Sequence, residues 1–169
     1  MGGRDAKLAA LMKPVTVSVE VPSARHDVYA FLDVLANHEP FTDHLMTDWE
    51  YSGPAAGVGA KARAKVRAPG SNEIIEIEVV ETDPPRRIVE EDVGARGRRR
   101  TRGTYTLEQL PDGGTRISFE LAWLEAPRLE RLGSPLTRAF MRRANGKAMR
   151  RLARLLATRK DDRPSHPHL

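Results

Sequence analysis

The sequence predicts an α+β domain: a curved antiparallel sheet of about seven strands wrapped around one long C-terminal helix, with two short helices after the first strand. Three observations lead there. Segments of period-two alternation follow one another with little but turn-forming residues between them, which makes them antiparallel neighbours. One unbroken helical stripe closes the chain after Ser134-Pro135. An antiparallel sheet of this size curls, its concave face needs a cover, and only the final helix is long enough to supply one.

The elements follow in order. VTVSVEV (15–21) sets Val15, Val17, Val19 and Val21 on one face and is the first strand. Pro22 ends it. Ser23 can accept a backbone N–H as a helix cap, and Asp27 adds negative charge near that helix's N-terminus. Val28, Phe31, Leu32 and Leu35 supply a helical stripe over 23–37, which Pro40 breaks, giving two short helices or one bent one. Strands are expected at 45–52, 60–68, 73–81, 88–93, 98–110 and 115–123. Leu45, Thr47, Trp49 and Tyr51 share one parity in the first of these. GPAAGVG, APGSN, TDPPRR, GARG and PDGG separate them, the last a strong hairpin signal. The final helix starts from a Ser134 cap with Pro135 at its first position. It runs to about Thr158, a rod of about 37 Å. Leu136, Phe140, Ala144, Ala148, Leu152 and Leu155/Leu156 form its apolar stripe. The domain is thus 15–160. Residues 1–14 are an extension, either a short amphipathic helix around Leu8, Leu11 and Met12 or an unstructured start, and DDRPSHPHL (161–169) reads as a disordered tail.

One strand is unusual. In AKARAKVRA (60–68) one parity is Ala60, Ala62, Ala64, Val66 and Ala68, and the other is Lys61, Arg63, Lys65 and Arg67. The basic parity faces water and can pair across strands with Glu76 and Glu78. The alanine parity faces inward, where strands normally carry bulk. Either it leaves a cavity, or an aromatic such as Tyr51, Tyr105, Phe119, Trp123 or Phe140 fills the space above it.

Composition narrows the function classes. There is no cysteine, so no disulfide framework, thiolate metal site or cysteine nucleophile. No apolar run approaches the ~20 residues of a membrane span, and the start lacks a signal-peptide core. The expected location is the cytoplasm. The net charge of +5 is unevenly placed: from residue 126 onward twelve basic residues face three acidic ones, 12 − 3 = +9, so the rest of the chain is net acidic.

VTVSVEVPSARHDVYAFL, PAAGVGAKARAKV, VVETDPPRRIV and TYTLEQLPDGGTRISFEL, in that order and followed by the long helix, carry a family likeness. From about Val15 to Arg159 the chain resembles the polyketide cyclase/dehydrase-like branch of the START-related helix-grip superfamily (SRPBCC). The resemblance implies an elongated apolar cavity between sheet and helix. It implies a hydrophobic ligand such as a lipid, sterol or polyketide, and it leaves the chemistry open. On this reading the cavity lining is Val17, Val19, Ala62, Ala64, Ile75, Ile77, Tyr105, Phe119, Trp123, Phe140 and Ala144. The leading function is binding of a hydrophobic small molecule. The alternative is a polyketide cyclase or dehydrase in which Tyr105 or a buried Glu90 transfers a proton.

The register of 88–102 stays open. Ile88, Glu90 and Asp92 share one parity, while Val89, Glu91 and Val93 share another that looks equally inward. On the next strand Thr101, Gly103, Tyr105 and Leu107 read as the inward set. His38 and His44, with Glu39 and Asp43, could form an acid–base or metal cluster in the loop after the short helices, but their spacing matches no metal motif. No metal site is expected. No phosphate-binding glycine loop precedes a helix, so no nucleotide cofactor is expected. Arginines cluster at 96–102, and basic residues run along the last helix, at Arg138, Arg142, Arg143, Lys147, Arg150, Arg151 and Arg154. Without interleaved aromatics for base stacking they disfavour nucleic acid. A solvated face is the plain reading. The functional one is a partner-binding helix that contacts RNA, an anionic membrane or an acidic protein.

Overall fold

A computed structural model describes residues 12–68 and 70–161. Seven antiparallel strands form one sheet in the order β1-β7-β6-β5-β4-β3-β2. They are β1 (Val15–Val21), β2 (Met46–Ser52), β3 (Lys61–Val66), β4 (Ile74–Asp83), β5 (Arg87–Gly94), β6 (Arg99–Gln109) and β7 (Thr115–Glu125). Between β1 and β2 lie α1 (Arg25–Leu32), a 3-10 turn (Leu35–His38) and α2 (Glu39–Thr42). After β7 come a short helix α3 (Arg128–Leu132) and the long α4 (Ser134–Asp161). This is the helix-grip fold. The ideas about Leu8 and Leu11 and about a tail holding His166 and His168 fall on residues outside those described. Met12 is described. It is buried with Val15, Leu121, Trp123 and Ala126 and so belongs to the domain.

Each turn has a local cause. Gly53 opens the β2–β3 turn at φ 75°, and a Cβ there would stand 2.5 Å from the Gly59 carbonyl oxygen, so only glycine fits. A bulge interrupts β2 between Thr47 and Glu50, with Asp48 at φ 55°. It breaks the simple parity expected for 45–52. Met46 before it and Trp49 after it both face the concave side, and Trp49 stacks on Tyr51 with ring centroids 5.9 Å apart. The basic parity of β3 behaves as expected, Lys61 pairing with Glu78 and Arg63 with Glu76 on the outer face.

The concave face is filled from one end. Along β1 the C-terminal half of α4 packs directly on the sheet. There Leu152 and Leu156 join Val21, Leu107 and Ile117, with Val17 and Val19 against them. Phe31, Leu32, Leu35 and Phe41 from the short helices share this core with Ala60 and Ala62. The apolar stripe of α4 is therefore only partly used. Ala148 and Leu152 are buried, but Leu136 is 80% exposed and Phe140 59% exposed. The first turns of α4, preceded by α3, which the sequence reading missed, meet the sheet at its β1–β7 edge, where Met141 packs on the Val15, Leu121 and Trp123 cluster and Arg138 Nε donates to the Lys13 carbonyl at 2.8 Å. They roof a space that nothing fills.

Candidate functional site

That space is a cavity of about 510 Å³, mostly apolar, between α4 and strands β2 to β7. Ile75, Ile77, Tyr105, Phe119, Trp123 and Phe140 line it, as does Glu90. These are the expected lining residues that the fold brings together. Val17, Val19, Ala62, Ala64 and Ala144 are not in the wall, and each departure has a cause. Val17 and Val19 are covered by the C-terminal half of α4. Ala62 lies in the core with the bulky side chains of the short helices, and Ala64 is equally buried. Ala144 is buried too, its carbonyl oxygen 2.9 Å from His44 Nε2. The alanine strand thus accommodates packing from α1, the 3-10 turn and α2. The cavity itself opens beside it, under Met141, Asn145 and Met149.

Strand pairing settles the register that alternation left open. Ile88, Glu90 and Asp92 face inward, set opposite Tyr105, Gly103 and Thr101. Gly103 is a steric necessity. A Cβ there would meet the Phe119 ring at 2.9 Å, so its absence lets that ring lie flat against the wall beside Glu90. The ring of Phe119 is 4.7 Å from that of Tyr105, and Tyr105 meets His38 edge-on at 5.6 Å. His38 comes from the 3-10 turn and is buried. Its Nε2–H donates to the Leu32 carbonyl at 2.7 Å, which points Nδ1 at Glu90, 3.6 Å from Oε1.

The floor is therefore a desolvated acidic pair in an aromatic setting. Burial pushes the Glu90 carboxyl up to about 8. Asp92 is pushed well above the carboxylate range by burial and then by Glu90, against the opposing bond from Thr101 Oγ1, which donates to it at 3.3 Å. Burial, then Glu90 and Asp92, raise Tyr105. Burial lowers His38 to about 4, partly offset by its bond to Leu32. At neutral pH Glu90 keeps its proton and His38 is neutral. Four cavity-lining polar atoms are sealed from solvent without a partner: Glu90 Oε1, Asp92 Oδ1, Trp49 Nε1 and Asn145 Nδ2.

At the rim Arg99 pairs with both Glu73 and Glu130, its Nε donating to the two Glu130 oxygens at 3.0 and 2.9 Å. Glu73 also accepts the Ala95 N–H at 2.9 Å, tying the β5–β6 turn and α3 to one point. His38 and His44 do not form one cluster. His44 and Asp43 engage Arg151 of α4, while Glu39 accepts from Tyr51 at 3.0 Å. Among the described residues no group of three or more metal-ligating side chains gathers.

Sequence reasoning missed His38 as a floor residue, along with Trp49, Asn145 and the rim triad. Asn145 left a signal, as a polar residue at helical spacing from Met141, Ala148 and Leu152 on an otherwise apolar face.

Fold and cavity together define a helix-grip protein of the SRPBCC type. The chain belongs to the family described as polyketide cyclase / dehydrase and lipid transport, whose profile matches residues 12–159. Solved structures share the fold. TTHA0849 of Thermus thermophilus aligns with TM-score 0.65 and 20% identity over 86% of this chain and 99% of that one. A conserved protein of Geobacillus kaustophilus gives TM-score 0.70 and 14% identity over 86% and 96%. DynU16, from the dynemicin biosynthetic locus, gives 0.56 and 20% over 86% of this chain but only 47% of its own length. Among curated proteins no sequence matches. Among the described residues no helix is long and apolar enough to cross a membrane.

The acidic floor sets a stability profile. Below about pH 4.5, folded and unfolded chains both hold the Glu90 proton. As pH rises from 4.5 to about 8 the unfolded chain loses it and the folded chain keeps it, so stability falls across that window and levels off above it. His38 acts oppositely, costing stability as pH falls from 6.5 to about 4. Glu90→Gln removes Glu90's share of that slope, leaving the share carried by Asp92, and should exceed wild type by about 1 kcal/mol or more near pH 8.5. Urea midpoints measured against pH test this; a variant that tracks wild type at every pH contradicts it.

Proposed function

We propose that the protein binds a hydrophobic small molecule, such as a lipid or polyketide, in the cavity beneath α4. The carrying observation is the void itself, about 510 Å³ under a helix whose apolar residues have nothing to pack against. Spaces of roughly 300–1,000 Å³ take small ligands nearly whole. An occupant removes apolar wall from water at about 25 cal/mol per Å². The family description, which couples lipid transport with polyketide chemistry, supports the reading.

A second reading, a polyketide cyclase or dehydrase, is favoured by one observation: Glu90 keeps its proton at neutral pH in the same wall as Tyr105. A neutral carboxyl in a dry site can protonate a leaving hydroxyl, and a phenol can steady an oxygen by donating to it. Glu90 and Tyr105 are then the catalytic residues.

The partner at the mouth, on this reading, is an anionic membrane that supplies or receives the ligand. Leu129 and Leu132, each 83% exposed, and Leu136 and Phe140 project from α3 and the start of α4. Arg128, Arg142 and Arg143 stand exposed among them. Apolar side chains set in a cationic face suit an anionic headgroup layer.

Three measurements test these readings. Titration with the neutral fluorophore N-phenyl-1-naphthylamine should saturate. Ile75→Trp, which fills the wall, should weaken it about tenfold, about 1.4 kcal/mol, with circular dichroism unchanged. Non-saturable binding by wild type overturns the cavity reading. Turnover of a polyketide should fall as pH rises through about 8 and be lost in Tyr105→Phe and Glu90→Gln; turnover untouched by either change removes the enzymatic reading. Co-sedimentation should occur with phosphatidylglycerol vesicles and not phosphatidylcholine ones, drop with added salt, and weaken in Leu132→Ser. Equal or absent binding to the two removes the membrane.

A further inference from the structure

We propose that the ligand of this cavity is an amphiphilic amine, held by its ammonium group between the carboxyls of Glu90 and Asp92. This inference rests on the reading of the cavity as a ligand site and adds the chemistry of the ligand's polar end.

The geometry is one of unmet demand. Glu90 is 7% exposed, and its Oε1 has no partner. Asp92 Oδ1 is likewise sealed and unpartnered, its other oxygen taking the Thr101 hydroxyl. Both residues line the cavity. Two carboxyls so placed call for a positive charge or for donors, and the Thr101 hydroxyl on Asp92 meets only part of that demand. The groups facing them are Glu91 on their own strand, Thr101 and Tyr105 on β6, and His38 from the 3-10 turn. Glu91 is itself occupied by Arg100 and Arg102. His38 sits 3.6 Å from Glu90, too far for a hydrogen bond, and burial keeps it neutral at pH 7. Of the arginines in the lining, Arg99 is committed to Glu73 and Glu130, and Arg67 is exposed and acts on Asp43. The positive charge that the floor lacks must arrive with the ligand.

A second observation is independent of the acids. Asn145 is 6% exposed, and its Nδ2, like Trp49 Nε1, is a sealed donor without an acceptor in the same cavity. These two call for an oxygen. The complementary molecule has an apolar body, an ammonium at the acidic pair and a hydroxyl or carbonyl oxygen toward Asn145 and Trp49. A fatty acid is the wrong sign, because its carboxylate would bring a further negative charge to a desolvated acidic pair.

The proton balance is simple. The amine enters as R–NH₃⁺, one proton leaves the Glu90–Asp92 pair for solvent, and the net charge of the floor does not change. The second carboxyl remains to accept another N–H.

The test uses dodecylamine, 1-dodecanol and dodecanoate as competitors of bound N-phenyl-1-naphthylamine near pH 7. The amine should displace the fluorophore at about tenfold lower concentration than the alcohol, with dodecanoate weakest. Calorimetry in two buffers of different ionisation enthalpy should show about one proton released per amine bound and none per alcohol. In the double variant Glu90→Gln, Asp92→Asn, with each competitor referred to that variant's own fluorophore affinity, the preference for the amine over the alcohol should be lost. An alcohol that matches the amine, or a preference that survives in the double variant, overturns the inference and leaves the cavity reading standing. Failure of the fluorophore to bind at all overturns both. If the double variant does not fold, the proton count on wild type decides, and zero protons released overturns the inference.

Discussion

The packing of the C-terminal half of α4 along β1 is the constraint on which the rest depends. Leu152 and Leu156 are fixed there against Val21, Leu107 and Ile117, in the best-filled part of the concave face. A straight helix held along the β1–β7 edge of a curved sheet must diverge from the strands farther across it. The divergence leaves Leu136 and Phe140 in the roof with no opposing wall. The void is thus a consequence of rigid geometry, so it does not need a run of small side chains to hollow it out. The rim closes the loose end by polar means. Arg99 gathers Glu73 from the start of β4 and Glu130 from α3, so the mouth is held by an ion-pair network where the tight end is held by hydrocarbon.

Charge divides the same way. On the outer face Glu78 and Glu76 of β4 are matched with Lys61 and Arg63 of β3, exposed pairs worth about 0.2–1 kcal/mol each. Inside, nothing matches Glu90 and Asp92, and the protein meets the cost by protonation. A carboxylic acid kept neutral is stable in a dry wall, where a carboxylate is not. That choice also sets the floor's chemistry. An acid that keeps its proton only because it is desolvated responds strongly to whatever desolvates it further or supplies a counter-charge.

Much of the fold was legible because its signals are local. Valine alternation in β1, the PDGG hairpin and the final stripe each report one element. Their order reports the sheet, since seven successive antiparallel strands leave little topological freedom. The site was less legible because it depends on pairs of elements. Ile88 and Val89 are both almost fully buried, so alternation could not choose the inward parity of β5. Pairing with Gly103 and Thr101 chose it. Ala62 read as a hollow because its partners, Phe31 and Phe41, come from helices whose placement no strand pattern encodes. His38 read only as one member of a possible loop cluster with His44, for the same reason. The bulge at Asp48, which turns Trp49 into the cavity, has no sequence signature beyond an acidic residue in a strand.

Gly103 shows why the floor lies where it does. A side chain there would drive the Phe119 ring off the wall at 2.9 Å. With no side chain, Phe119 lies against the strand, its ring tilted 42° to that of Tyr105, and Glu90 occupies the neighbouring position on β5 within 4.0 Å of the same point. One missing methyl therefore places an aromatic surface and a neutral acid side by side. The aromatic faces supply area for an apolar body and the acid supplies direction. Both lie against the same backbone position, Gly103. An occupant that uses the apolar wall is steered by that adjacency toward the one part of the cavity where polar atoms still lack partners.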